Sequence, residues 1–393
     1  MKPFAIKDKV IWIGALHPDL RVFDIIMQTK NGTTYNSYLI QAEKPTIIDT
    51  VKSKYSQTYL DQLSELVDLQ NLTYIVVQHN EPDHSGSLQA LLDRAPQATV
   101  LCTKVAAKYV QNIVNTEVKI QTVENGQEID LGGQTLRFIS APFLHWPDTM
   151  MTYWLQGKVL FSCDVFANHF CDSHMYSDLI NRDFWPDYKY YFDIIFRPFK
   201  KHVRNALKKI DELQIEMIAP SHGPILRTDI VEFINRYRRW SAEIPVNNPK
   251  RLLIYYISAH GNTATMAEEI AKGARESGIE VQLYDIGEIN VHEHLDRIET
   301  CDGMLVGSPT INNDAVKPAW DLLSSLATLD VKGKISGSFG SMGWSGEATK
   351  FLDQRLTDLK FKVPEAGVTA TLVPNPDELA ACREFGKKIA AAL

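Results

Sequence analysis

Apolar residues along the chain fall into two kinds of pattern. Beyond residue 250, short apolar runs at Leu252–Ile257, Val281–Asp285, Met304–Gly307, Lys334–Phe339 and Val368–Val373 alternate with stretches of helical spacing, closing on Asp377–Ala392. Strands that alternate with helices in this way predict an open parallel sheet covered on both faces, a doubly wound α/β fold. The earlier part is less regular. Short strands are predicted at Tyr38–Ile40, Thr46–Asp49, Tyr74–Val77, Thr135–Ile139, Met151–Leu155 and Val159–Ser162, with Gly157-Lys158 turning the last two. Gln57–Val67, Leu88–Arg94 and Val231–Trp240 have helical spacing. The Pro/Asn-rich stretch Ile244–Pro249 reads as a linker, which divides the chain into domains 1–248 and 249–393.

At the N-terminus, Lys2, Lys7 and Lys9 precede the apolar stretch Val10–Leu16. That stretch is too short for a signal peptide and runs into His17-Pro18-Asp19 without a small-residue cleavage site, so it reads as the first strand. The 393 residues include 45% hydrophobic and 23% charged side chains, as in ordinary globular proteins. A net charge of −7 excludes a general nucleic-acid binder. No apolar run is long enough for a membrane helix. The 5 cysteines form no Cys-x-x-Cys pair, which argues against a disulfide framework or zinc ribbon and favours a reducing, cytoplasmic compartment.

Candidate chemistry concentrates after the Tyr74–Val77 strand. There His79, Glu81, Asp83 and His84 fall within six residues, in a segment that Pro82 should shape as a loop. His145, Asp164 and His222 follow later, each beside a turn or the end of a short strand. Four histidines and three carboxylates exceed the usual four ligands of one zinc. They suit two first-row metals, each with two histidines and one carboxylate as in non-haem iron sites, and a third carboxylate shared between them. A second group, His169, Asp172 and His174, reads as surface or outer-layer residues.

In the second half, Ser258-Ala259-His260-Gly261-Asn262-Thr263 follows a strand and opens a helix, a setting in which backbone N–H groups cradle phosphate. Two more loops end predicted strands: Ser308-Pro309-Thr310-Ile311-Asn312, and Ser341-Met342-Gly343-Trp344-Ser345-Gly346. Trp344 among glycines suits contact with a flat ring. No Gly-x-Gly-x-x-Gly fingerprint is present, so no NAD(P) site is expected.

His-x-Glu-x-Asp-His, followed by His145-Trp146-Pro147-Asp148, Asp164 and Ser221-His222-Gly223, resembles the flavodiiron proteins, or A-type flavoproteins. Gly32–Leu39 and the loops around Asn312 and Trp344 match the same family, so the resemblance spans nearly the whole chain. It implies an N-terminal metallo-β-lactamase-like αββα sandwich followed by a flavodoxin-like domain that binds FMN. It implies one iron on His79, Glu81 and His145, a second on Asp83, His84 and His222, and Asp164 bridging them. Glu81 stands where the zinc hydrolases of that fold carry a histidine. Asp24 occupies the region where many members have a pocket histidine, and Tyr190 or Tyr191 is the candidate for a pocket hydroxyl.

The implied activity is reduction of O2 to water, of NO to N2O, or both. The chain ends without a rubredoxin or flavin-reductase domain, so an external donor is expected, rubredoxin first and the deazaflavin F420 second. Rival readings are a zinc hydrolase on the same fold, a simple electron carrier and a non-catalytic gas sensor. Compact bodies of about 250 and 140 residues have gyration radii of roughly 18 and 14 Å. Side by side they would hold flavin and iron too far apart, so a head-to-tail homodimer, or a dimer of such dimers, is expected.

Overall fold

The computed structural model describes residues 1–393, which divide into two compact units, Met1–Ala242 and Glu243–Leu393. The first contains two main sheets. One has seven strands in the order Phe4–Lys7, Val10–Trp12, Tyr38–Ile40, Thr46–Ile48, Tyr74–Val76, Thr99–Cys102 and Lys119–Thr122. The other has five, in the order Glu128–Asp130, Thr135–Ser140, Met150–Trp154, Val159–Cys163 and Met217–Pro220.

Alternation along these strands explains the layering. Tyr38, Ile40, Ile48, Val76 and Leu101 join Leu136, Phe138, Trp154 and Phe161 in one core cluster between the sheets. The intervening Leu39, Ile47, Ile75 and Val100 belong to another cluster with Leu60, Leu63, Leu91 and Val110 from helices. Ile139, Leu160 and Ile218 of the second sheet likewise join helix residues Val203, Leu207 and Ile210. Both faces of each sheet are therefore covered, which is why these strands read as continuous apolar runs. The result is an αββα sandwich.

The helices predicted at 57–67 and 231–240 form at Ser56–Leu66 and Ile230–Trp240, and the third forms at Leu88–Arg94. The N-terminus departs from expectation. A strand Phe4–Lys7 comes first, and Val10–Leu16 is not one strand but breaks after Trp12, with Ala15–His17 pairing separately with Thr33–Tyr35. Gly14 sits at the break, where a Cβ would lie 2.2 Å from the Tyr35 carbonyl oxygen. The close approach of two chain segments requires glycine there.

In the second unit, strands Arg251–Tyr256, Glu280–Asp285, Gly303–Gly307, Ile335–Met342 and Val368–Thr371 form one parallel sheet. Their spatial order is second, first, third, fourth, fifth. Helices Asn262–Arg275 and Pro376–Ala392 contribute to one core cluster, and Val291–Thr300, Lys317–Ser325 and Glu347–Asp358 to the other. Asn375 and Glu378 form a reciprocal capping box that starts the last helix. No helix in the chain is long and apolar enough to cross a membrane.

Candidate functional site

Strand Tyr74–Val76 delivers the chain to His79. Pro82 does not leave an open loop, as its backbone restriction suggests, but opens a single helical turn, Pro82–Ser85. Proline is tolerated at the first helical position because that N–H has no intrahelical partner. His84 N and Ser85 N both donate to the Glu81 carbonyl, at 2.9 and 3.0 Å. Asp164 immediately follows strand Val159–Cys163, and His222 follows Met217–Pro220 with Ser221 between. These strands are parallel neighbours, so both side chains leave the same end of the sheet. His145 lies in the connection between Thr135–Ser140 and Met150–Trp154.

All seven side chains converge. His79 Nε2 and His145 Nε2 lie 3.1 and 3.0 Å from Glu81 Oε2. The same two nitrogens lie 3.8 and 3.7 Å from Asp164 Oδ2. On the other side, His222 Nε2 lies 3.0 Å from Asp83 Oδ2, and His84 Nε2 lies 3.6 Å from Asp83 Oδ1. Asp164 Oδ1 faces that pair, 3.2 Å from His84 and 3.5 Å from His222. The two oxygens of Asp164 thus look into two separate ligand groups. Ligand bonds of ~2.0–2.2 Å give ligand–ligand separations close to these.

The electrostatics call for positive charge at the centre. Both Asp83 oxygens, His84 Nε2 and Asp164 Oδ2 are buried without a hydrogen-bond partner, an arrangement that is costly unless a bound group satisfies it. Burial alone would depress His79, yet its hydrogen bonds to Asp148 and Glu81 raise it to about 9. Burial likewise acts to depress His222, but Asp83 and Asp164 outweigh it and raise the ring above its ordinary value. Asp164 is held below the usual carboxylate range against its own burial, chiefly by His84 and His79. Without a cation, histidine protons supply the charge the carboxylates need. The donor set of imidazoles and carboxylates fits two first-row metal ions.

A second layer aims these ligands. Asp148 Oδ2 lies 3.4 Å from His79 Nδ1 and accepts from Asn80 N and Nδ2 at 2.8 and 2.9 Å. His222 Nδ1 lies 2.6 Å from the Thr34 carbonyl, so it carries the proton and leaves Nε2 for the site. Asp49 accepts from Gln78 N and Nε2 at 2.8 and 2.9 Å, fixing the strand end. Neither Asp49 nor the Thr34 carbonyl stands out in the sequence. Asp148 does, as the last residue of His145-Trp146-Pro147-Asp148.

Asp24 sits at the tip of the hairpin Val22–Phe23/Met27–Gln28, with a left-handed backbone. Burial raises its carboxyl to about 7, helped by a hydrogen bond to Glu81 and the charge of Asp83. Tyr191 Oη donates to Asp164 Oδ1 at 3.2 Å, whereas Tyr190 Oη accepts from Gln28 N at 3.3 Å and does not touch the cluster. Of the two places expected for His169, surface or outer layer, it takes the outer layer. It is buried against His222 and Tyr191, with Nδ1 2.8 Å from Thr33 Oγ1. Asp172 and His174 pair with each other at 2.6 Å at the exposed side and join no ligand group.

The three phosphate- and ring-binding candidates of the second unit lie at the C-terminal ends of the first, third and fourth strands of its sheet. Ligands of open α/β sheets bind at this end. Gly261 has φ +83 and opens helix Asn262–Arg275, and nothing lies within 4 Å of where its Cβ would be. Ser258 Oγ accepts from Ala264 N at 3.2 Å, leaving Ala259 and His260 in the turn between them. Thr263 Oγ1 and Ser341 Oγ, 2.9 Å apart, tie the first loop to the third. Thr310–Ile311 and Asp314–Ala315 form a small hairpin whose turn residues, Asn312 and Asn313, are both left-handed. Ser308 Oγ accepts from Val316 N at 3.0 Å and donates to the Pro309 carbonyl at 2.9 Å. Ser345 Oγ donates to Asn313 Oδ1 at 3.3 Å, joining the second and third loops. Beyond Met342, Gly343 opens onto free space, Trp344 is 91% exposed, and Gly346 precedes helix Glu347–Asp358. Open backbone at a helix start beside an uncovered aromatic fits a phosphorylated, flat ligand.

Comparison with known proteins agrees with both halves. Residues 33–223 match the family model described as ODP family beta lactamase, and residues 254–386 match that of flavodoxin. The chain is 40% identical over 396 residues to type A flavoprotein fprA of Rhodobacter capsulatus, covering 99% of this chain and 91% of the relative. It is 34% identical to the anaerobic nitric oxide reductase flavorubredoxin of Escherichia coli, covering 98% of this chain and 81% of that one. Among solved structures, rubredoxin oxygen:oxidoreductase from Desulfovibrio gigas superposes with a TM-score of 0.74 at 29% identity, over 100% of this chain and 98% of that one. The chain belongs to the type A flavoprotein, or flavodiiron, family.

Proposed function

We propose that this protein reduces O2 to water, NO to N2O, or both, at a pair of iron ions, with electrons delivered through FMN. The observation that carries the reading is the division of Asp164 between two ligand groups, Oδ2 toward His79, Glu81 and His145, and Oδ1 toward His84 and His222. In this reading His79, Glu81 and His145 would hold the first iron, Asp83, His84 and His222 the second, and Asp164 would be shared between them. Glu81 in place of a neutral imidazole adds a hard anionic oxygen, which favours iron over zinc. Held by these residues, two irons would supply the open positions and hold the electrons, passed on through FMN, that gas reduction needs.

The chain's own residues do the positioning. Asp148 and the Thr34 carbonyl fix the tautomers of His79 and His222. The Tyr191 hydroxyl orients the bridging carboxylate, and the burial of the cluster keeps bulk water from it. FMN would lie across the loops Ser258–Thr263, Ser308–Asn312 and Ser341–Gly346, with phosphate at the start of helix Asn262–Arg275. Within the linker that follows the first compact unit, which ends at Ala242, we place the domain boundary at 248/249.

The finer partner assignments belong to the same proposal. Rubredoxin is the external donor, a role supported by the name of the Desulfovibrio gigas protein. The protein works in the cytoplasm, where five buried, unpaired cysteines are at home. It forms a head-to-tail homodimer in which the flavin loops of one protomer face the metal pocket of its partner. Ile25 and Ile26 beside the pocket, 93% and 73% exposed, and Trp344 and Val373, 91% and 75% exposed, are apolar surfaces that such an assembly would cover.

Steady-state consumption of O2 and NO by the purified protein, carrying iron and FMN and fed by reduced rubredoxin, tests the function. Catalytic loss of at least one gas is expected. A protein with both cofactors that consumes neither gas would return the reading to a sensor, and one that holds two zinc ions would return it to a hydrolase.

A further inference from the structure

The first loop of the second unit is laid out for an anion. The backbone N–H groups of Ala259, His260, Gly261, Asn262 and Thr263 meet no acceptor in the structure. The next two turn back onto the loop, Ala264 N donating to Ser258 Oγ at 3.2 Å and Thr265 N to the Gly261 carbonyl at 2.9 Å. Gly261, with φ +83, leads the chain into the 14-residue helix Asn262–Arg275. Successive free N–H groups at a helix start form a hollow that binds anions.

The charges around that hollow are unfavourable to an anion. Burial, then the charges of Asp285, Glu268 and Glu288, raise the hydroxyl of Tyr256 above its ordinary value. Tyr256 ends the first strand two residues before Ser258, so these carboxylates stand close to the loop. Asp314 belongs to the hairpin of the second loop. Glu347 opens the helix after the third, with Oε2 buried and without a hydrogen-bond partner. A phosphate monoester adds about two more negative charges at neutral pH. Amide N–H groups can donate to it but bring no net charge. Across residues 258–263, 308–313 and 341–347, one side chain is able to carry a positive charge, that of His260. It is exposed and takes part in no hydrogen bond, ion pair or ring contact, so it is uncommitted.

We propose that His260 reads the flavin phosphate, donating an imidazole N–H to a phosphate oxygen beside the backbone hollow, and so makes this site select FMN over unphosphorylated riboflavin. The side chain branches from among the five free N–H groups, and its own N–H is one of them, so it borders the hollow they form. A hydrogen bond between a cationic donor and a phosphate is among the stronger kinds. The placement of charge also orients the ligand. The carboxylates of Asp314 and Glu347 belong to the second and third loops, which leaves the first loop for the phosphate and the other two for the uncharged ring.

The assignment rests on the FMN reading of the second unit, and its test separates the two. The full-length, metal-loaded protein is stripped of flavin and titrated with FMN and with riboflavin, following the quenching of flavin fluorescence. Wild type is compared with His260→Ala and His260→Lys, with circular dichroism confirming the fold of each. In His260→Ala, FMN should bind about tenfold or more weakly, the loss of one hydrogen bond to a charged group, with riboflavin affinity unchanged. His260→Lys should recover the preference for FMN. Phosphorus NMR of bound FMN should show a displaced resonance in His260→Ala. Unchanged FMN affinity in His260→Ala, equal losses for the two flavins, or no recovery in His260→Lys overturns the assignment and leaves the FMN reading standing. A wild type that binds neither flavin removes the FMN reading and the assignment with it.

Discussion

The two candidate sites of this chain are built in opposite ways. The metal cluster is folded into the interior of the first unit. Its carboxylates and imidazoles are buried apart from the half-buried His145, several of their atoms have no partner, and a second layer of Asp148, Asp49 and the Thr34 carbonyl sets their directions. The flavin loops of the second unit sit on strand ends at the surface, joined by a few hydroxyl contacts, with Trp344 almost wholly exposed. A site of buried charges must be organised before its ligand arrives, because an unpaired carboxylate in the interior is costly. A site of backbone N–H groups and small residues can wait in water at little cost.

Substitutions should feel that contrast. Replacing Asp164 with Ala removes the group shared by both ligand sets and should leave fewer than two irons per chain, with gas turnover lowered by at least roughly a hundredfold, more than loss of an outer-layer partner. Elemental analysis with an O2 electrode checks this, and an unchanged iron content would break the contrast at its strongest point. Asp148→Ala spares every candidate ligand but frees His79 and Asn80. Its iron should be lost to a chelator ~10–100 times more readily.

Acidity probes the same preorganisation. In the metal-free protein His79 is raised to about 9 from its ordinary 6.5. Its proton therefore stabilises the metal-free fold fully below about 6.5, and this contribution is lost as pH rises through about 9. Metal must displace that proton, so affinity for a divalent ion should rise about tenfold per pH unit across this window from His79 alone. Competition titrations at several pH values check the slope, and a flat profile would mean His79 is not among the ligands.

The second unit should respond more gently. Thr263→Val deletes the hydroxyl pair with Ser341 and should weaken FMN binding about fivefold, the value of one hydrogen bond near 1 kcal/mol, with iron content untouched. Fluorescence titration of the flavin measures it. Trp344→Ala should change the stability of the flavin-free protein by less than about 0.5 kcal/mol, because an exposed ring contributes little packing. Denaturant unfolding would show a larger loss if the ring is instead anchored in the fold.

These differences also set what was legible in the sequence. His79, Glu81, Asp83 and His84 stand out because one turn presents them together, and their chemistry is local. His145, Asp164 and His222 carry little signal individually. Their meeting depends on the neighbouring strands Val159–Cys163 and Met217–Pro220 and on the packing of two sheets, so the sequence offered them only as candidates beside turns and strand ends, and only the resemblance to a family divided them between two irons. The contact of Asp24 with Glu81 was illegible, since it depends on a hairpin tip reaching across the fold. The break in Val10–Leu16 was equally hidden, because the glycine that causes it is needed only once Tyr35 lies against it. The five-strand alternation beyond residue 250 was readable, since each of those strands follows from its own apolar pattern, whereas the small hairpin Thr310–Ile311/Asp314–Ala315 read as a loop.

The central claim is that Asp164 joins two irons into one unit, and Mössbauer spectroscopy of the oxidised protein loaded with isotopically enriched iron tests it most directly. The account predicts two ferric ions per chain in a single antiferromagnetically coupled pair, diamagnetic at low temperature, with the coupling lost in Asp164→Ala. Two independent paramagnetic ferric signals in the wild-type protein, or a single iron per chain after full reconstitution, would contradict it.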